Sequence, residues 1–126
     1  MNPITDRIKI GTVGELLVQL RLLEHNVQAA PPIKDSGNDL IAIRGETFKA
    51  IQVKTSTRER YLKSNLPDKY HILAVVKLVG DEETLLLDKS QVFLIPRARV
   101  AAASLRFTDL EEFVVSTEHI NTLFED

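Results

Sequence analysis

The chain contains no cysteine. Disulfides, thiolate-ligated zinc, iron–sulfur clusters and a thiol nucleophile are therefore excluded. No uncharged apolar run comes near the length of about 18 residues that a membrane span needs. The opening residues, 1–10, hold no apolar stretch of the signal-peptide kind. The expected setting is the cytoplasm, with no membrane partner. Motifs are missing too. There is no Walker pattern and no G-x-G-x-x-G, so nucleotide binding is not indicated, and no serine stands in a G-x-S-x-G context. His25, His71 and His119 fall on separate segments without ligand spacing and read as structural or exposed.

What is present suits one α/β domain over residues 1–126, with 44% hydrophobic residues to fill its core. Asn2 and Pro3 form a helix opening, a cap followed by a first-turn proline. From Ile4 the apolar residues recur at Ile8, Val13, Leu16, Leu17, Leu20 and Leu23, a helical spacing that ends at His25 and Asn26. Gly11 and Gly14 lie inside that helix, where each costs about 1 kcal/mol relative to alanine. Such glycines persist where something approaches the backbone closely. Val27–Ala30 reads as a short strand, and residues 34–38 as a turn. Asp39–Arg44 and Thr47–Thr55 read as strands joined by Gly45 and Glu46, a pair suited to a two-residue type II′ turn. Arg58–Leu62 is expected to begin a short helix. Tyr70–Val79 is a near-continuous apolar run fit for a central strand. Gln91–Ile95 is a further strand, Arg97–Leu105 and the segment from Thr108 are expected to be helical, the latter from its capping-box form, and a last helix is expected over Thr117–Phe124. Leu85–Leu87 and Val92–Ile95 read as core.

The turn at Gly45 and Glu46 fixes a register. If Arg44 pairs with Thr47, Asp39 lies opposite Gln52, with Cβ atoms about 5 Å apart. Lys54, two residues on, shares their face. The rest of that face is Ile41, Ile43, Phe48 and Ala50, all apolar, and it is expected to lie under the first helix. Three polar side chains at the end of a buried face cost on the order of 1–3 kcal/mol each if unpartnered. A divalent metal with water would compensate. Glu15, set among apolar helix neighbours, is a candidate fourth member. Taken singly, each residue has a plainer account: an exposed strand end for Gln52 and Lys54, a strand start for Asp39, a surface helix position for Glu15.

These residues carry a resemblance. The run Gly11–Thr12–Val13–Gly14–Glu15, then Ser36–Gly37–Asn38–Asp39–Leu40, then Ile51–Gln52–Val53–Lys54–Thr55–Ser56 resembles the PD-(D/E)XK nuclease superfamily over roughly the first half of the chain. It is similar in particular to the resolvase-like and homing-endonuclease-like branches that carry a Q-x-K motif. Two departures stand out: Asn38 precedes the aspartate in place of proline, and Gln52 replaces the second acid. The resemblance implies a restriction-endonuclease-like αβββαβ core, a mixed sheet flanked by helices. It implies Asp39 as main metal ligand, with the Gln52 amide oxygen and the Val53 carbonyl as neutral donors to Mg²⁺ or Mn²⁺. It also implies Glu15 holding the metal through water or binding a second ion, and Lys54 acting on the attacking water or on the charge at phosphorus. Ser56, Thr57, Arg58, Arg60 and Lys63 would touch DNA phosphates.

Charge distribution agrees with that partner. The net charge of −2 arises from the C-terminal segment. Asp109–Asp126 holds six acids and no Lys or Arg, while residues 1–108 carry 16 Lys and Arg and 12 acidic side chains. Local charge governs where a phosphate backbone can approach. The resulting expectation is a Mg²⁺-dependent DNA endonuclease acting as a homodimer or larger, because one small domain offers one site and two strands need two cuts. The alternatives are a catalytically inactive nucleic-acid-binding module of the same fold, or an oligomeric interaction subunit that uses Val100–Ala103 and the acidic segment.

Overall fold

Gly45 adopts φ 59° while Glu46 keeps a negative φ, the combination of a type II′ reversal. It joins β2 (Leu40–Arg44) to β3 (Thr47–Ser56) in a computed structural model that describes residues 6–33, 37–81 and 83–125. The register is the one the turn dictates, Arg44 opposite Thr47 through to Leu40 opposite Ile51. β1 (Gln28–Ala30) adds antiparallel to β2. β4 (Ile72–Lys77) runs parallel to β3, and β5 (Gln91–Pro96) antiparallel to β4, giving a mixed five-stranded sheet in the order β1-β2-β3-β4-β5. The expected α/β class, a mixed sheet flanked by helices, is the one observed.

α1 (Asp6–Glu24) ends where the sequence places its end. Asn26 takes φ 65°, Val27 N–H donates to the Leu22 carbonyl and Asn26 N–H to that of Leu23, a Schellman closure. The helix opening at Asn2 and Pro3 lies outside the described residues, as does most of the turn at 34–38. α1 buries Leu17, Val18 and Leu22 against Leu40, Ala42, Ile51 and Val53, and α3 (Thr117–Leu123), capped by Ser116 on His119 N–H, joins the same face with Ile120. The other face is covered by Tyr61, Tyr70, Phe107, Leu110 and Phe113 packed on Leu73, Val75, Phe93 and Ile95.

Several expectations fail for identifiable reasons. No helix forms at Arg58–Leu62. The crossover from β3 to β4 is irregular because its backbone pairs elsewhere. Tyr61 N–H donates to Leu105 O and Phe107 N–H to Glu59 O, with Arg60 bridging to Arg106. Asn65 at φ 58° then turns the chain. Arg97–Leu105 is helical for one turn, α2 (Arg97–Val100). The segment after it forms 3-10 turns at Phe107–Asp109 and Glu111–Phe113. Phe107, Leu110 and Phe113 are all buried, and their spacing of three matches the 3-10 period of three residues per turn, not the α period of 3.6. Leu86 and Leu87 are exposed instead of core. Finally, of the apolar residues whose spacing marks α1, Leu16, Leu20 and Leu23 are exposed and face away from the sheet.

Candidate metal and phosphodiester site

β2 stops at Leu40, yet β3 continues to Ser56. On the β2 side the last backbone bond is Asp39 N–H to Ile51 O, 3.2 Å. One step further the Asp39 side chain replaces the backbone: its Oδ2 accepts from Val53 N–H at 2.8 Å. Beyond that point this edge of β3 is free among the described residues. The opposite edge is occupied, since Ala50 O accepts from His71 N–H and Ser56 O from Leu78 N–H. Backbone groups alternate sides along a strand, so those of Val53 and Thr55 face the open edge.

A cleft of about 510 Å³ follows this edge. β3 lines it from Gln52 to Ser56, with both alternation sets represented, and Thr57 and Arg58 extend it. α1 contributes Ile10, Gly11 and Glu15, and Asp39 closes the end. Of the residues singled out in the sequence, Glu15, Asp39, Gln52, Val53, Lys54, Ser56, Thr57 and Arg58 thus share one cleft. Arg60 and Lys63 lie outside it. Arg60 sits in the bridge to Arg106, and Lys63 Nζ donates to the Ala103 carbonyl.

The arrangement differs from the expected one in a specific way. Gln52 and Lys54 stand beside Leu73 and Val75, residues of the face opposite α1. α1 covers the alternate set, Ile51 and Val53. Glu15 therefore meets Asp39 across the free edge of β3, not from above their common face. The apolar remainder of that face is not buried under a helix either: Phe48 is 62% exposed, and Ile41 and Ile43 are half-buried. Close approach of α1 makes the meeting possible. Gly14 packs so tightly on β3 that a Cβ built there would lie 1.8 Å from Thr55 Oγ1. The sequence gives Thr55 no role of its own; two glycines within an apolar helix are the only signal of this contact.

The electrostatics suit a cation. Burial first, and the Asp39 carboxylate second, push the Glu15 carboxyl above its ordinary range. Gln52 is 8% exposed, and its Oε1 is buried without a hydrogen-bond partner. An unpaired buried oxygen costs about 1–3 kcal/mol, and a hard divalent ion takes such neutral donors readily. Among the described residues no group of three or more His, Asp and Glu side chains gathers to hold a metal. An ion here would rest on two carboxylates, the Gln52 amide oxygen and the Val53 carbonyl. No hydrogen bond or ion pair among the described residues engages the Lys54 ammonium. Asn38, just before Asp39, donates to Lys69 O and so ties the site to the crossover, but does not line the cleft.

The raised Glu15 carboxyl makes a prediction with a definite sign. The folded protein binds its proton more tightly than the unfolded chain. Glu15 therefore opposes folding above its ordinary value of 4.5, increasingly as pH rises to its folded pKa, and the penalty vanishes below 4.5. At pH 7 without metal, Glu15→Gln is expected to raise Tm by about 1–3 °C. Mg²⁺ or Mn²⁺ is expected to raise the Tm of the parent protein more than that of the variant. Thermal melts with and without cation check both. A variant that melts lower than the parent in chelator removes the repulsion from the account.

No protein-family model matches the sequence, and no curated relative is found. Among solved structures, the fold is similar to that of a bacterial homing endonuclease, I-Ssp6803I. The TM-score is 0.55 at 14% identity, over 79% of this chain and 71% of that one. At that identity the likeness is one of fold.

Proposed function

We propose that the protein is a metal-dependent DNA endonuclease of the PD-(D/E)XK type, hydrolysing phosphodiester bonds in the cleft beside β3. The observation that carries the reading is the convergence of Glu15, Asp39, an unpartnered Gln52 oxygen and the Lys54 ammonium along one open strand edge. The fold's similarity to a homing endonuclease supports the same reading.

In this reading Asp39, Gln52, the Val53 carbonyl and Glu15 hold Mg²⁺, with Mn²⁺ as a substitute. When bound, the ion polarises the phosphate and acidifies water. Asp39 is held for this role by its bond to Val53 N–H, which fixes one carboxylate oxygen and leaves the second for the ion. Glu15 supplies a second carboxylate whose repulsion from Asp39 the ion relieves. Lys54 places an ammonium beside the scissile phosphate, orienting the attacking water and countering the charge that develops on phosphorus. Ser56 and Thr57 offer hydroxyls and Arg58 a guanidinium along the same edge, where a backbone phosphate would pass. Cutting both strands calls for two such sites, hence a homodimer or larger assembly acting on cytoplasmic DNA.

A second reading is favoured by the donor set, which has only two carboxylates and a neutral amide where the pattern allows a third acid. It is a nucleic-acid-binding module of the same fold that does not cut. Supercoiled plasmid, four-way junctions and flap substrates, incubated with Mg²⁺ or Mn²⁺ and with chelator, separate the two. Cation-dependent nicking is expected. Tight, cation-independent binding without cleavage of any substrate would favour the second reading, and neither binding nor cleavage would sink both.

A further inference from the structure

α1 is apolar on its outward side as well as its inner one. Ile8, Leu16, Leu20 and Leu23 are 55, 57, 48 and 59% exposed. Between residues 10 and 23 the exposed positions are Thr12, Leu16, Leu20 and Leu23, none of them charged. A helix covering a sheet normally turns a polar face to water. The inner stripe of Leu17, Val18 and Leu22 already accounts for the sheet contact. It does not account for the outer stripe, where Leu16, Leu20 and Leu23 turn to solvent.

We propose that a second copy of this chain covers the outer stripe, packed with its own α1 antiparallel to this one about a two-fold axis passing near Leu16. Three features of the stripe select that occupant. First, Leu16 lies near its centre, so a two-fold axis there packs Leu16 on its own copy, Leu20 beside the other chain's Thr12, and Ile8 at the level of the other chain's Leu23 and Glu24. Second, Lys9 and Glu24 carry opposite charge at the two ends, and their midpoint also falls beside Leu16. An antiparallel copy therefore places each Lys9 near the other chain's Glu24, which is exposed and pairs with Arg21 on its own helix. A self-complementary patch of this kind is what an isologous interface requires. Third, the area is of the right order. The four side chains expose roughly 400 Å² of apolar surface, a size that marks interaction sites and about half of the roughly 800 Å² that each partner of a standard interface contributes. The remainder is at hand beside the stripe. A groove of about 300 Å³ between α1 and the edge strand β1 is lined by Gln19, Leu20, Leu23, Gln28 and Ala29.

Glu15 adjoins Leu16 in the chain, so the axis passes near both copies' clefts. Only this last consequence, two sites disposed about one axis for two strands, rests on the nuclease reading. The interface itself does not.

The test uses the full chain without DNA, so its failure is distinct from a failure of the cleavage experiment. Sedimentation equilibrium at concentrations up to about 100 µM, enough to populate a dimer of micromolar affinity, is expected to give twice the 14.2 kDa chain mass. Leu20→Glu combined with Leu23→Glu is expected to weaken the dimer at least about 100-fold while leaving the circular dichroism spectrum unchanged. Lys9→Glu alone is expected to weaken it several-fold, and Lys9→Glu with Glu24→Lys to restore it. A parent protein that stays monomeric at the top of that range would overturn the proposal and leave the face to a foreign chain. So would a dimer indifferent to both the leucine and the charge substitutions.

Discussion

Asp39→Asn and Lys54→Ala are each expected to slow DNA cleavage by about 10³-fold, and to differ in what else they change. The amide introduced by Asp39→Asn keeps an oxygen able to accept from Val53 N–H, so the 2.8 Å bond that anchors the end of β2 survives. Only the charge is lost. Without it the cleft has one carboxylate for a cation, and the rise in Tm on adding Mg²⁺ or Mn²⁺ should disappear together with cleavage. The Lys54 ammonium makes no bond among the described residues, so its truncation should leave both stability and the cation-induced rise in Tm intact and remove the rate alone. Single-turnover nicking rates and thermal melts on the two variants decide the matter. Cleavage that survives Lys54→Ala would mean that another group does the chemistry. A cation response that survives Asp39→Asn would place the ion elsewhere.

Gly14→Ala is expected to lower stability by about 1–3 kcal/mol, and Gly11→Ala to raise it by up to about 1 kcal/mol. The two glycines sit three residues apart on one helix, and helix propensity favours alanine at both. Surroundings decide the sign. At Gly11 an added Cβ meets nothing within 4 Å, whereas at Gly14 it meets Thr55 Oγ1 at 1.8 Å and Thr55 Cβ at 2.8 Å. The second contact is with the stem of the side chain, so a change of rotamer does not relieve it and α1 must lift from β3. Lifting would also carry Glu15 away from Asp39. Gly14→Ala should therefore impair cation binding beyond its effect on stability. Adding Thr55→Gly to it should partly rescue the loss, while adding Thr55→Ser should not. Denaturant unfolding of the parent and these variants measures this. Equal effects at the two glycines would refute the close contact.

Much of the sheet was legible because its signals are local. Gly45 and Glu46 define a turn type, the turn type defines a register, and the register holds from Arg44 opposite Thr47 to Leu40 opposite Ile51; the pairing of Asp39 with Gln52 expected one step further does not form, because Asp39 bonds the Ile51 carbonyl and Val53 N–H instead. The end of α1 was legible in the same way, since Asn26 is a residue that tolerates the left-handed conformation. What could not be read is which face the helix would choose. Alternation assigns Ile41 and Ile43 to one side and Leu40 and Ala42 to the other, and both sets are apolar. The helix took the second set. α1 itself poses the same ambiguity, with leucines on every side, and of the residues that mark its periodicity Leu16, Leu20 and Leu23 face out. At the C-terminal end, Thr108–Glu111 has the form of a helix cap, but the buried trio at Phe107, Leu110 and Phe113 imposes a period of three. Tertiary burial prevailed over a local signal of about 1 kcal/mol. The crossover, lastly, is shaped by pairing between residues 59–61 and 105–107, which no short window of sequence reveals.

The two-residue reversal at Gly45 and Glu46 has a bearing on which length changes the chain can tolerate. One residue added there and not taken up by a longer loop would rotate every later position of β3 to the opposite side of the sheet. Gln52 and Lys54 would then point toward the helix and Ile51 toward the other layer, with no amino acid replaced. The irregular crossover of residues 57–71 has no such sensitivity outside its pairing at residues 59–61, because it has no strand register to keep. Insertions and deletions among descendants of this sequence should therefore collect in the crossover and avoid the tip of the hairpin, although the tip touches no candidate site residue.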